Sequence, residues 1–220
     1  GDIYNQAIAY NNLGGIAKNR GQLDEALEYY EQGLQLAEKL GGAGWIAGGI
    51  HMNLGAAHVR RQDAAEAYEH LHKSRRFYEE IQSKDFLAET LRYLAEAALM
   101  DGDLARATAW VEEAFTLADE LEMTVDLACC HCVLGQIAWK RNDLEQAESH
   151  FRKSVTLLAN SSDEYQLARS RTWLGYFWVR QGTVDEAKAV LVQAQQTFAH
   201  LDAEMDLMTV QRLQRENNLI

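Results

Sequence analysis

The 220-residue sequence contains no proline and only three cysteines, and its 21 lysines and arginines are outnumbered by 33 acidic residues, for a net charge of −12. A duplex-binding surface shows itself as a basic excess, so direct nucleic-acid binding is not expected. No run of about 18 apolar residues occurs, which excludes a membrane-spanning helix, and no charged, apolar, small-residue leader is read at the N-terminus. Cys129, Cys130 and Cys132 are an odd number crowded into one segment. Neighbouring cysteines on a helix face apart, so a disulfide framework is not expected, and a reducing cytoplasm is the expected compartment. The sequence also lacks a phosphate loop of the G-x-x-x-x-G-K kind. The run Gly42-Ala43-Gly44-Trp45-Ile46-Ala47 fits G-x-G-x-x-A, but that fingerprint works between a strand and a helix. Here an amphipathic helix precedes it, so no dinucleotide site, and no other cofactor, is expected.

What is present is repetition. The stretch Leu134 to Ala147 reads as a helix hairpin: Leu134, Ile137 and Ala138 recur at helical spacing, Asn142 and Asp143 interrupt, and Leu144 and Ala147 resume on a second helix. Asn142 tolerates the left-handed conformation that ends a helix, and Asp143 can cap the next by accepting a backbone N–H. The anchor recurs at Leu13, Leu54, Leu94, Leu134 and Leu174, spaced by 41, 40, 40 and 40 residues. Ala26, Ala67, Ala107, Ala147 and Ala187 follow the same period, with turn positions at Gly21, Gln62, Gly102, Asn142 and Gly182. Seven places after each alanine stands a small residue, Gly33, Ser74, Ala114, Ser154 or Ala194, where helix backbones can approach closely. A hairpin cannot bury its apolar face alone, and stacked neighbours supply the missing surface.

These residues resemble the tetratricopeptide repeats (TPR), whose pattern places Leu-Gly in the first helix and an Ala, an aromatic and a further Ala in the second. Leu13-Gly14, Leu54-Gly55, Leu134-Gly135 and Leu174-Gly175 match, Leu94-Ala95 is a near miss, and the aromatic is kept at Tyr30 and Phe151 but replaced by Leu71, Val111 and Leu191. The usual repeat has 34 residues and a proline near its end. A 40-residue period without proline resembles the longer variety found in kinesin light chains, Pins-type adaptors and the sensor arms of MalT-type bacterial regulators.

The expected fold is all-α, a right-handed α-solenoid of five antiparallel helix hairpins over about 3–41, 44–82, 84–122, 124–161 and 164–201, closed by a capping helix over 204–218, in one domain. The first residues fall where a repeat should start and no polar cap precedes them. The chain therefore reads as a fragment of a longer protein, with apolar surface at its N-terminal end suited to end-to-end self-association. Helices are expected from Ile3 to Arg20 and Gln22 to Leu40, then a glycine-rich connection over 41–49, then a helix from Ile50 to Arg61.

The resemblance implies that first helices line a concave groove, through residues off the packing stripe. Read onto this sequence, the partner-binding positions are Asn11, Met52, Arg92, Glu96, Gln136, Trp139, Arg169, Thr172, Tyr176 and Arg180. The arginines would take carboxylates by forked hydrogen bonds, and Trp139, Tyr176 and Met52 would supply adaptable apolar contact. The Lys and Asn clamp of chaperone adaptors and the Pins-type Asn after Leu-Gly are not matched. No catalytic residues and no metal ligands are assigned. His70 and His72 are two apart and do not share a helix face, so they read as solvated surface histidines. Cys129 to Cys132 point around the helix circumference and read as packing residues. The expected function is non-enzymatic: a protein or peptide interaction array, the sensor or docking arm of a larger cytoplasmic signalling protein, which binds peptides, partner proteins or its neighbouring domains. The alternative, which the resemblance to MalT-type arms allows, is the small-ligand sensor domain of a MalT-type transcription regulator, in which Trp139 and Tyr176 stack on a sugar-like or other compact ligand.

Overall fold

The computed structural model describes residues 2–40 and 44–219. Every regular element among them is an α-helix: α1 (Ile3–Arg20), α2 (Leu23–Lys39), α3 (Trp45–Arg61), α4 (Ala64–Glu80), α5 (Lys84–Asp101), α6 (Leu104–Glu120), α7 (Thr124–Lys140), α8 (Leu144–Leu158), α9 (Glu164–Gln181), α10 (Val184–His200) and α11 (Glu204–Glu216). They pair as five antiparallel hairpins followed by a single helix, as the period requires. The chain divides into two compact units, Gly1–Leu121 with α1 to α6 and Glu122–Ile220 with α7 to α11.

Each hairpin turns where the periodic pattern is interrupted. Gly21, Gln62, Gly102, Asn142 and Gly182 all have positive φ, from 63° to 85°, which breaks the helix and reverses the chain. Asp143 then caps α8, its Oδ1 accepting from the Gln146 N–H at 3.1 Å. Asp63 and Asp103 do the same for Glu66 and Arg106 at the starts of α4 and α6.

The two helices of a hairpin meet through a small residue on the first and a large one on the second. A Cβ on Gly14 would lie 2.5 Å from the Tyr30 ring, one on Gly135 2.7 Å from Phe151, and one on Gly175 2.6 Å from Leu191. Gly55 stands in the same way over Leu71. In the third hairpin the corresponding pair is Ala95 and Val111, both fully buried, so the extra methyl on one side is matched by a smaller side chain on the other. Close-packed interiors tolerate no overlap and few voids, which accounts for the sequence's one departure from Leu-Gly.

Successive hairpins are joined by the small positions of the second helices. Gly33 lets the backbone of α2 approach Ile50 and the Ala7 carbonyl. Ser74 and Ser154 are buried, and each exchanges a hydrogen bond with a hydroxyl of the next helix: Ser74 with Thr90 at 3.1 Å and Ser154 with Ser170 at 2.8 Å. The first unit's core runs through Tyr30, Ile50, Leu54, Leu71, Tyr78, Leu91 and Leu94, and the second's through Phe151, Leu174, Phe177, Leu191 and Phe198. Burying one such side chain contributes roughly 1.5–3 kcal/mol.

One boundary differs from expectation. The connection expected over 41–49 falls outside the described residues for 41–43, but α3 already begins at Trp45, so Gly48 and Gly49 are helical. Their purpose is contact, not flexibility: a Cβ on Gly48 would lie 2.5 Å from the Phe77 ring of α4. The two glycines, read as a loop signal, admit a close helix crossing. On α1, Ile3, Tyr4, Leu13 and Ile16 are exposed, the apolar surface expected at that end. Among the described residues no helix is long and apolar enough to cross a membrane.

Candidate functional site

In the first unit the faces of α1, α3 and α5 carry a polar ladder. Asn11 accepts a hydrogen bond from the Asn53 side-chain amide at 3.0 Å, and the Asn53 carbonyl accepts from Lys18 at 3.4 Å. The Lys18 ammonium lies 5.9 Å from the Tyr93 ring centroid. Met52 is buried, so it supplies core contact instead of an exposed surface. Arg92 is only 2% exposed. Its guanidinium meets Glu96 at 2.6 Å and Glu89 at 3.6 Å and stacks on Tyr93 at 3.9 Å. A buried guanidinium needs paired charge and hydrogen bonds, and these carboxylates provide them from within the same helix.

In the second unit the corresponding faces, on α7 and α9, are aromatic. Trp139 packs edge-on against Tyr176 at 5.1 Å and Phe177 at 5.4 Å, and Tyr176 continues to Trp173 at 6.2 Å. Tyr176 remains 37% exposed, so the cluster presents a ring to solvent. Arg180, one turn on along α9, is exposed, while Arg169 is half-buried and donates to Gln166 at 3.4 Å. Gln136 turns back onto the Cys132 carbonyl at 3.4 Å, and Thr172 onto the Ala168 carbonyl at 2.8 Å. Of the ten sequence-assigned positions, the structure brings Trp139 and Tyr176 together and joins Arg92 to Glu96. Asn53, Tyr93 and Trp173, which complete the two faces, were not singled out in the sequence. Each is adjacent to a position that was, or to a periodic anchor, and stepping three and four residues along the helix would have reached them.

The histidines require a correction. His70 is half-buried, not a solvated surface residue, and its partners come from α3: the Nδ1 atoms of His51 and His70 are 2.9 Å apart, and His58 stacks on His70 with ring centroids separated by 5.8 Å. Burial, reinforced by neighbouring positive groups, lowers His51 and His70 to about 4 each. Both rings are therefore neutral at pH 7. The fourth hairpin repeats the pair, with His131 and His150 Nδ1 atoms 2.9 Å apart and His131 lowered to about 4, again chiefly by burial. Cys129, Cys130 and Cys132 are all buried, the environment in which cysteine behaves as a small apolar residue.

The tetratricopeptide family described as the MalT-like TPR region matches residues 45–219, and the general tetratricopeptide repeat matches residues 7–40. The chain belongs to the MalT-like TPR family. Within the wider tetratricopeptide group, the human Tetratricopeptide repeat protein 29 is 23% identical over 210 residues, covering 89% of this chain and 44% of that protein. Among solved structures, NprR in complex with its cognate peptide NprX superposes with a TM-score of 0.83 at 13% identity, over 98% of this chain and 62% of that one. A Rap protein complexed with Competence and Sporulation Factor gives 0.80 at 12% identity, over 97% and 65%. The chain thus spans less than half of the human relative and less than two thirds of either structural neighbour. At these identities the structures establish a shared fold, the α-solenoid of TPR-like hairpins. Function is carried by residues grafted on that fold. In this MalT-like TPR region the first-helix faces hold a hydrogen-bonded ladder in one unit and an exposed aromatic cluster in the other.

Proposed function

We propose that the chain is a non-enzymatic interaction array, the sensor or docking arm of a larger cytoplasmic regulatory protein, and that it takes a peptide or protein segment on its first-helix surface. The aromatic cluster of Trp139, Trp173 and Tyr176 beside the exposed Arg180 carries this reading. Aromatic rings give large contact area at low entropic cost, and an adjacent guanidinium selects a carboxylate. The complex of NprR with its cognate peptide NprX, on the same fold, supports a peptide as the ligand class. Arg92 is assigned to the scaffold, because Glu96 and Glu89 already surround it.

The test is a titration of short acidic peptides bearing one aromatic residue, read by tryptophan fluorescence and by calorimetry. Tyr176→Ala and Arg180→Ala alter exposed side chains, and each is expected to weaken the best peptide at least tenfold, about 1.4 kcal/mol. Affinity unchanged in both variants would sink the assignment. The same cluster favours a second reading, a compact sugar-like ligand stacked on Trp139 and Tyr176. In that case Trp139→Ala would abolish binding and Arg180→Ala would leave it intact.

A further inference from the structure

The second hairpin gathers three imidazoles and a carboxylate where its helices face one another. His51 and His58 are two turns apart on α3 and share a face; Glu66 and His70 are one turn apart on α4 and share the opposing one. One donor atom each from His58, Glu66 and His70 lies within 4.8 Å of the other two. The core does not demand this arrangement. In the fourth hairpin the same histidine pair forms at the same distance with Ala138 and Gln146 at the registers of His58 and Glu66.

We propose that His58, Glu66 and His70 form a binding site for a divalent transition-metal ion of the zinc class, with His51 orienting the His70 ring and a water completing the coordination. Two imidazole nitrogens and one carboxylate oxygen suit zinc, whereas calcium and magnesium take oxygen donors. A tetrahedral zinc holds its donors roughly 3.3 Å apart; the exposed Glu66 side chain swings inward to close the distance, and the His58 ring turns out of its stack on His70 so that both ring nitrogens aim at the ion. The outer contacts follow the pattern of zinc sites, in which a second group holds the far nitrogen of a ligating histidine. His51 meets His70 Nδ1 at 2.9 Å. His58 Nδ1 is buried without a hydrogen bond, with Asp63 Oδ2 at 3.8 Å, a separation that a small rotation converts into an orienting contact. A bound ion would clamp α3 to α4 outside the apolar core, in the unit that does not carry the aromatic cluster, so this site and the peptide surface stand or fall separately.

The experiment is calorimetric titration of the metal-stripped 220-residue chain with zinc alone, and with cobalt(II) as a spectroscopic reporter of tetrahedral geometry. One equivalent is expected to bind. His58→Ala with Glu66→Gln should weaken it at least tenfold, and His150→Ala should leave it unchanged. Circular dichroism establishes that the double variant is folded; should it not be, Glu66→Gln alone, at an exposed position, is decisive and is expected to weaken binding measurably. Absence of stoichiometric zinc uptake would overturn the site. So would uptake that survives these substitutions, or that disappears in Cys132→Ser instead.

Discussion

The second and fourth hairpins carry the same histidine pair and the same buried hydroxyl pair, but they differ in what surrounds them. In the second, His58 and Glu66 add donors beside His70, and Leu71 fills the space over Gly55. In the fourth, Ala138 and Gln146 stand at the donor registers, and the larger Phe151 fills the space over Gly135. The common parts belong to the scaffold: a half-buried imidazole pair bridging two helices and a serine bonded to the following one. The differing parts show that a solenoid can keep its packing while individual repeats acquire separate chemistry.

The largest expected effect lies in the core. Phe151→Ala should cost about 3–5 kcal/mol, and Leu71→Ala somewhat less within about 2–5 kcal/mol, measured by denaturant unfolding. Equal costs would mean that the two side chains packed over a glycine leave sites that relax alike and that their size difference has no energetic meaning. Next comes transplantation: Ala138→His with Gln146→Glu should install a second zinc site in the fourth hairpin. The stoichiometry should rise from one to two, with the new site within a hundredfold of the native affinity; no second equivalent would show that the second hairpin's backbone contributes something its side chains do not. Third, Ser74→Ala and Ser154→Ala each leave a buried hydroxyl without its partner, at a cost of about 1–3 kcal/mol. Thr90 keeps a bond to the Phe86 carbonyl, so the Ser74 variant should be the milder.

The smallest effect is the pH dependence contributed by the fourth hairpin. The unfolded His131 takes up a proton near 6.5 and the folded one near 4, and His150 is lowered in the same direction by burial and Lys153, opposed by Asp143. Between those values the folded state binds fewer protons. The stabilisation is therefore complete above about pH 6.5 and is lost as pH falls toward 4. Replacing both histidines with glutamine should flatten the fall in melting temperature between pH 7 and 5, and an unaltered slope would place the acid sensitivity elsewhere.

The sequence made the periodic features legible because each is local. A turn residue every 40 or 41 positions, Gly21, Gln62, Gly102, Asn142 and Gly182, sits at positive φ in the structure, and Asp143 caps the helix it precedes. What escaped were contacts between helices. The spacing of His70 and His72 describes one helix alone, whereas the partner of His70 is His51, across the turn. The clue was present: histidines 19 residues apart occur twice, at 51 and 70 and at 131 and 150. Arg92 satisfied the spacing expected of a groove residue, but spacing gives direction and not depth, and its depth depends on how closely the neighbouring first helices pack. The glycines at 48 and 49 read as a connection because a helical glycine placed for contact and a loop glycine look the same in sequence.

The matching of a small residue on each first helix to a large one on the second has a consequence for recombination. Joining α5 to α8 would set Ala95 against Phe151, and joining α7 to α6 would leave Gly135 facing Val111 across a void. Crossovers placed in a turn within a hairpin would thus yield incompatible halves wherever they exchange a helix of the third hairpin, while crossovers between hairpins would keep every mated pair intact. The hairpin, not the helix, is the heritable cassette of this chain.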